Sequence, residues 1–574
     1  MSSTTSTMHT AAYDNLLAVY RSTSILSVLA GIAGILVLRS TLRTVRRKLK
    51  TTSLRGPPGT HPVFGASKDL FEAPDTGEIF ETWAEEYGVA YEVPTSFGGT
   101  KIMLVRSKSP RTLLRPGNLD ICANRLGQSI PRTRVRERNT VVALETITRG
   151  SFNIPKPEIT CLPLFLRQRK SLSPAFSHAA LRKLAHVFYN CAHKTKAGWD
   201  ALIDMSGGES AFIEIQDWMN HISLDTIGMA GFSHEFDSLD GKPATIQQVF
   251  SAFDASAKQS FVDVAVVLFA DVFPVFSYVP VSCVKSLTDM QNTLSGIAKK
   301  LLDRVEKEKK EGVIDGKEDK SIIGVLIKAT EAEGGRHVTS EEVLSSMKEL
   351  LLAGYITTSN SMTWALVELA RNPDIQGKLR DELLAFGSEP TYDQLQSSLT
   401  LPYLDAVVHE SLRIHPPLTD FVRVATEDDV IPLSEPVITK SGQAINSISV
   451  ARGTKIGLPM ACINRSTAIW GPDAKVFRPE RWLEKDGIPK KAQDVQGYRH
   501  LLTFADGPRN CLGKGFAVSE MKAVLSVLVK SFVFEMRDGP NTQIELCRGI
   551  LPRPRVVGEE GAAMPLRVTR YEGC

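Results

Sequence analysis

The sequence predicts a mainly α-helical domain with a minor β part, preceded by one N-terminal membrane-spanning helix. Three observations carry this. An uncharged apolar run near the N-terminus is followed by a cluster of cations. Amphipathic helical patterns dominate the remainder, the longest running without proline from "TSEE" at Thr339 to "LARNP" at Pro373. Strand-like pieces are short and confined to residues 89–105, 420–460 and 545–570.

The N-terminal element is "STSILSVLAGIAGILVL", Ser22 to Leu38, 17 uncharged residues that make a helix of about 25 Å. Leu16–Tyr20 extend it to a full span, with Arg21 snorkelling toward head groups. Arg39, Arg43, Arg46, Arg47, Lys48 and Lys50 follow, which is the charge order of a signal anchor with its body in the cytosol and the reverse of a cleaved signal peptide. The boundaries expected are a membrane anchor with its basic flank over residues 1–50 and a single folded domain over 51–574. "LRGPPGTHPVFG" reads as a stiff hinge between them.

Charge excludes one function class. The chain carries a formal net charge of +4, but residues 1–50 hold seven Lys/Arg against Asp14 alone, so the body is slightly acidic. A nucleic-acid partner needs a basic face on the folded domain, and none is expected. The eight cysteines show no CxxC pair, and with a cytosolic body they read as reduced thiols.

The long central helix should start at Thr339, with Glu342 completing a capping box, and cover about 32 residues, roughly 48 Å. Midway it carries "AGYITTS", Ala353 to Ser359, a run of small, β-branched and hydroxyl residues. That run suits either a packing notch between helices or a place where backbone carbonyls loosen.

Near the C-terminus "FADGPRNCLG", Phe504 to Gly513, surrounds one cysteine with turn-formers, a cation and an aromatic ring. Gly507-Pro508 and Gly513 shape a tight loop, and a helix begins just after it with Phe516, Ala517, Met521, Val524, Leu525 and Leu528 on one apolar face. The Cys511 sulfur at that helix's N-terminus is placed for thiolate chemistry, as ligand or nucleophile.

Phe504, Gly507, Arg509, Cys511 and Gly513 match, in order and spacing, the haem-binding loop of cytochrome P450 monooxygenases, and the resemblance extends from about Pro57 to the C-terminus. It implies a cytochrome P450 fold, haem b as cofactor and Cys511 as the iron ligand, with Phe504, Arg509 and Gly513 around it. In "HESLRIHPP" and "FRPERW", Glu410, Arg413 and Arg481 resemble the family's buried Glu/Arg group. "FLRQRKSLSPAF" resembles the helix that reaches a haem propionate, with Arg169 as the cation and Phe165 where tryptophan is common; Arg423 in "FVRVATEDDV" matches a second propionate contact. "AGYITTS" resembles the oxygen-activation segment. There Thr357, with Thr358 beside it, is the hydroxyl that assists dioxygen protonation, and Ile356 stands where an acid is usual.

No GxGxxG follows a strand, so no fused redox module is expected and electrons must come from outside. The resemblance implies an endoplasmic-reticulum enzyme served by NADPH-cytochrome P450 reductase, with cytochrome b5 as a further donor, docking near Lys170 and Lys514. The segments matching the family's pocket walls are residues 126–148, 251–276, Leu352–Thr357, Leu418–Phe421 and Gly549–Leu551. They are largely apolar and suit a lipophilic substrate, such as a terpenoid. Two other readings stay open at this stage: a haem isomerase or dehydratase, for which Ile356 speaks, and a non-catalytic haem carrier.

Overall fold

The computed structural model describes residues 42, 44–73, 75–106, 168–242, 261–270, 276, 279–311, 322–331, 339–547 and 551–572. The predicted anchor Ser22–Leu38 lies outside these, as do Phe165, residues 126–148 and Gly549. Among the described residues no helix is long and apolar enough to cross a membrane.

Helices of eight or more residues are α1 (Thr76–Tyr87), α2 (His178–Met205), α3 (Ile215–Phe232), α4 (Phe261–Ala270), α5 (Ser282–Lys310), α6 (Ile322–Glu331), α7 (Ser340–Arg371), α8 (Pro373–Phe386), α9 (Pro402–Ile414) and α10 (Lys514–Ser531). The strands are β1 (Ala90–Thr95), β2 (Gly99–Leu104), β3 (Ser210–Glu214), β4 (Phe421–Val424), β5 (Asp429–Ile438), β6 (Ala444–Val450), β7 (Lys455–Leu458), β8 (Phe532–Met536), β9 (Ile544–Cys547), β10 (Arg553–Val556) and β11 (Pro565–Arg570). The main sheet runs β1-β2-β7-β4, with β2 and β7 parallel and the other pairs antiparallel. A three-stranded sheet runs β3-β11-β8, and β5-β6 and β9-β10 pair two by two. The mainly helical architecture with a minor β part is as the sequence predicts.

Helix α7 has the predicted bounds for the predicted reason. Thr339 accepts from the Glu342 N–H, and the Glu342 carboxylate accepts from the Thr339 N–H at 2.8 Å, so the capping box is complete. The helix continues for 32 residues to Arg371, where Asn372 and Pro373 hand the chain to α8. It packs on α3, α9 and α10 and so passes through the middle of the fold. Gly354 is the packing notch: a Cβ there would lie 2.9 Å from the Ile227 side chain on α3.

Three expectations need correction. Helix α10 is not amphipathic: every residue from Val518 to Val529 is buried, so it is a central helix enclosed on all sides. Strands β3 and β8 were not anticipated; both pair with β11, with Ile213 and Met536 opposite Leu566 on its two sides. The segment before Pro57-Pro58 is not a free hinge. The Arg47 guanidinium donates to the Gly453 carbonyl at 2.9 Å, Lys50 pairs with Asp428 at 2.5 Å, and the Thr52 N–H donates to Ser449. Gly56 then passes so close to β1 that a Cβ would fall 1.9 Å from the Glu92 carbonyl oxygen. The end of the basic flank therefore belongs to the folded domain.

Candidate active site

Beneath the cysteine loop lies a wholly buried ionic group. Glu410 and Arg413 stand three apart on α9 and meet through two bonds, Nε to Oε2 at 2.9 Å and Nη2 to Oε1 at 2.8 Å. Arg481 reaches the same carboxylate through Nε at 3.3 Å. Two further donors complete the set: the Trp482 indole to Oε2 at 2.9 Å and the Arg478 backbone N–H to Oε1 at 3.0 Å. Arg413 also donates to the carbonyls of Asn464 and Ala474, and Arg481 to Asp473. One carboxylate thus joins α9 to the Arg478–Trp482 segment, more than sixty residues away in sequence. Trp482 and Asp473 gave no sign in the sequence of belonging to this group.

The next layer is aromatic. His409, fully buried, donates from Nδ1 to the Asp405 carbonyl at 2.6 Å, and burial pushes its imidazole down to about 4. Its ring lies 5.4 Å from Trp482 and 5.3 Å from Tyr498, and the Tyr498 ring meets Phe504 edge-on at 5.7 Å. Phe504 is buried, and its carbonyl accepts from the Cys511 N–H at 2.8 Å. The ionic group and the cysteine loop are thereby in mechanical contact.

The loop turns at Gly507, where φ is +77°, a value that favours glycine. Cys511 follows immediately before α10, as predicted. Cys191, Cys462 and Cys547 are free and buried, whereas Cys511 is free and exposed. Protein still crowds the sulfur on its other sides, and that desolvation pushes the thiol above its ordinary value. The N–H groups of Gly513 and Lys514 and the cations of Arg169 and Lys514 pull it back only in part. The helix terminus therefore moderates the upward shift that burial imposes on the thiol.

Arg169 clamps the same loop: it donates to the Asn510 carbonyl at 2.7 Å and to the Asn510 side-chain oxygen. Asn510 is a partner that sequence reading did not identify. Arg423 is buried on β4 with its guanidinium 4.5 Å from the Phe421 ring centroid. Lys514 sits 4.6 Å over Tyr498, and Lys170 is exposed.

On α7 the burial pattern marks one face. From Leu351 to Ala370 every residue is buried except Ala353, Gly354, Ile356 and Thr357. These four interrupt the buried run, and all of them lie within "AGYITTS". The Thr357 hydroxyl donates to the Ala353 carbonyl at 2.7 Å. Thr358 is 3% exposed and packs into the interior, so the two threonines do not share the open face. Ile356 does share it, and it brings no acid.

The residues fit a flat, anionic, iron-bearing cofactor. A Cβ on Gly513 would meet only the Phe176 ring, at 3.7 Å, so protein packing does not demand glycine there and leaves room beside the loop. Cys511 is exposed at the head of α10, Arg169 bonds the same loop, and α7 packs on α10.

The comparisons agree with this geometry. The family model described as cytochrome P450 matches residues 163–556. The chain is 47% identical over 535 residues to cytochrome P450 monooxygenase claP of Ampulloclitocybe clavipes, covering 92% of this chain and 95% of that one. It is 46% identical over 531 residues to claQ of the same fungus, covering 92% and 94%. Ganoderic acid synthetase of Ganoderma lucidum is 33% identical over 398 residues, or 65% of this chain and 71% of that protein. With this coverage, and with one exposed thiol at the head of the buried central helix, the chain belongs to the cytochrome P450 family and is a monooxygenase.

Proposed function

We propose that this monooxygenase oxidises a lipophilic small molecule, such as a terpenoid, at a haem b group held between the cysteine loop and the open face of α7. The observation that supports this is an exposed Cys511 at the head of α10, on which α7 packs, together with a half-buried stripe of Ala353, Ile356 and Thr357 on α7 that carries no charge. A relative whose name is ganoderic acid synthetase supports a small-molecule product.

Bound haem supplies the redox chemistry by which one atom of dioxygen enters the substrate and the other leaves as water. The chain's residues do the rest. Cys511 provides the thiolate ligand, and Phe504, Gly513 and Arg509 border it. Arg169 and Arg423 offer cations to the propionates, Arg169 by exchanging its bonds to Asn510. Ile356 keeps bulk water from the open face. Thr357 moves a proton at Oγ1: its hydroxyl leaves the Ala353 carbonyl and donates into the cavity, then recovers a proton from water. Thr358 takes no part, because its side chain is buried away from that face.

Thr357→Ala should lower product formed per NADPH by about tenfold, against the 10²–10⁴-fold that positioned proton donors can contribute, and raise released peroxide. Simultaneous measurement of NADPH, peroxide and product checks this, after a spin-state screen has identified a substrate. Unchanged coupling would favour the isomerase or dehydratase reading that Ile356 supports.

The remaining elements of the reading concern location and electrons. The span Ser22–Leu38 anchors the protein in the endoplasmic-reticulum membrane with the domain facing the cytosol, and electrons arrive from an NADPH-dependent reductase, with cytochrome b5 as a further donor. Deleting residues 1–41 should move most of the protein from the membrane pellet to the supernatant with haem binding intact. Deleting residues 1–50 should give a less stable domain, because it also removes Arg47 and Lys50 from their partners. Retention of the shorter deletion wholly in the pellet would contradict the anchor.

A further inference from the structure

We propose that Asn360 is a positioning residue that fixes one wall of the substrate cavity, by pinning the turn at Leu551–Pro552 to the face of α7 that carries Thr357. The inference rests on the monooxygenase reading for the identity of that cavity.

Ala353, Ile356, Thr357 and Asn360 recur at i, i+3, i+4 and i+7 and so form one stripe along α7. Asn360 stands three residues beyond Thr357, a rise of about 4.5 Å. Asparagine is a poor residue for a helix interior, and burying its amide is costly unless the amide is bonded. Its hydroxyl neighbours meet this cost within the helix: Ser359, Ser361 and Thr363 donate to the carbonyls of Ile356, Thr357 and Ser359. Asn360 instead donates outward, from Nδ2 to the Pro552 carbonyl at 2.8 Å, across 192 residues of sequence.

That carbonyl is a consequential point to hold. Pro552 lies between buried Leu551 and Arg553, the first residue of β10, which pairs with Cys547 of β9. Proline has no N–H, so its carbonyl is the only backbone polar group through which this residue can be fixed. The Asn360 Oδ1 atom is buried and has no partner among the described residues. Leaving such an acceptor unpaired costs stability, and a leucine of similar size would avoid that cost. The bond to Pro552 is the property of asparagine that packing alone does not require. Through it, the start of β10 is set at a fixed distance from Thr357.

The test uses full-length, haem-loaded protein and two azole probes that bind iron. Imidazole is small enough to ignore the wall, whereas clotrimazole is bulky and must fit against it. In Asn360→Leu, clotrimazole affinity should fall about fivefold, the worth of one buried hydrogen bond. Imidazole affinity should stay within twofold, and the carbon monoxide spectrum should be unchanged. Amide exchange across residues 551–556 should accelerate in the same variant. Asn360→Gln keeps a donor and should recover at least half of the clotrimazole loss. Unchanged clotrimazole affinity and exchange in Asn360→Leu, with the spectrum intact, would overturn the inference. Should that variant fail to take up haem, Asn360→Gln is compared with Asn360→Ser: tighter clotrimazole binding by Gln supports the pin, and the reverse order refutes it. A wild-type protein without the carbon monoxide band would instead sink the underlying monooxygenase reading.

Discussion

Glu410→Ala should yield little or no folded, haem-bearing protein. The Glu410 carboxylate is fully buried and accepts five hydrogen bonds, from Arg413 twice, Arg481, Trp482 and the Arg478 backbone. Removing it leaves two buried guanidinium groups, Arg413 and Arg481, without their shared counter-charge. Breaking a buried pair in this way costs about 3–5 kcal/mol, and the total stability of a domain is on the order of 5–15 kcal/mol. The damage also falls where it matters most, since the same indole that bonds Glu410 lies against His409 and, through Tyr498, against Phe504 of the cysteine loop. Glu410→Gln keeps an acceptor but loses the charge, and should be intermediate. Haem content per polypeptide and a thermal melt read both variants; a wild-type melt in Glu410→Ala would show that the ionic group is not what supports the loop.

Much of this architecture is legible in the sequence, for identifiable reasons. The start and length of α7 are local facts: a Thr/Glu capping box, an unbroken helical pattern, and a proline two residues after the end. The position of Cys511 before α10 is equally local, because Gly507, Pro508 and Gly513 lie within six residues of one another. Glu410 and Arg413 show themselves as an i, i+3 pair. What the sequence hides is what long-range packing decides. β3 and β8 become strands because β11 lies between them, and their own residues carry no distinctive alternation. The burial of α10 on every side, the docking of Arg47 and Lys50 on the β5–β6 region, and the bond from Asn360 to Pro552 all join segments far apart in the chain. Within "AGYITTS" only the structure separates the roles: Gly354 serves packing against α3, Thr357 serves the open face, and Thr358 serves the interior.

Cys511→Ala has the largest expected effect on chemistry, because no second residue offers a thiolate at that position. Cys191, Cys462 and Cys547 are buried: Cys191 and Cys547 are in helix α2 and strand β9, and Cys462 is in the short helix after β7. The fold itself should tolerate the change, since the cysteine's structural contribution is its backbone N–H to the Phe504 carbonyl, which alanine retains. The variant should therefore remain helical and soluble to the same extent as wild type while losing all monooxygenase turnover.

The most direct measurement is the difference spectrum of the reduced protein with carbon monoxide, recorded for wild type and Cys511→Ala under the same conditions. Wild type should show the strongly red-shifted Soret band that a thiolate ligand produces, and Cys511→Ala should show none of it. A wild type that binds no haem, or a Cys511→Ala protein that keeps the red-shifted band, would contradict the assignment of Cys511 as the iron ligand.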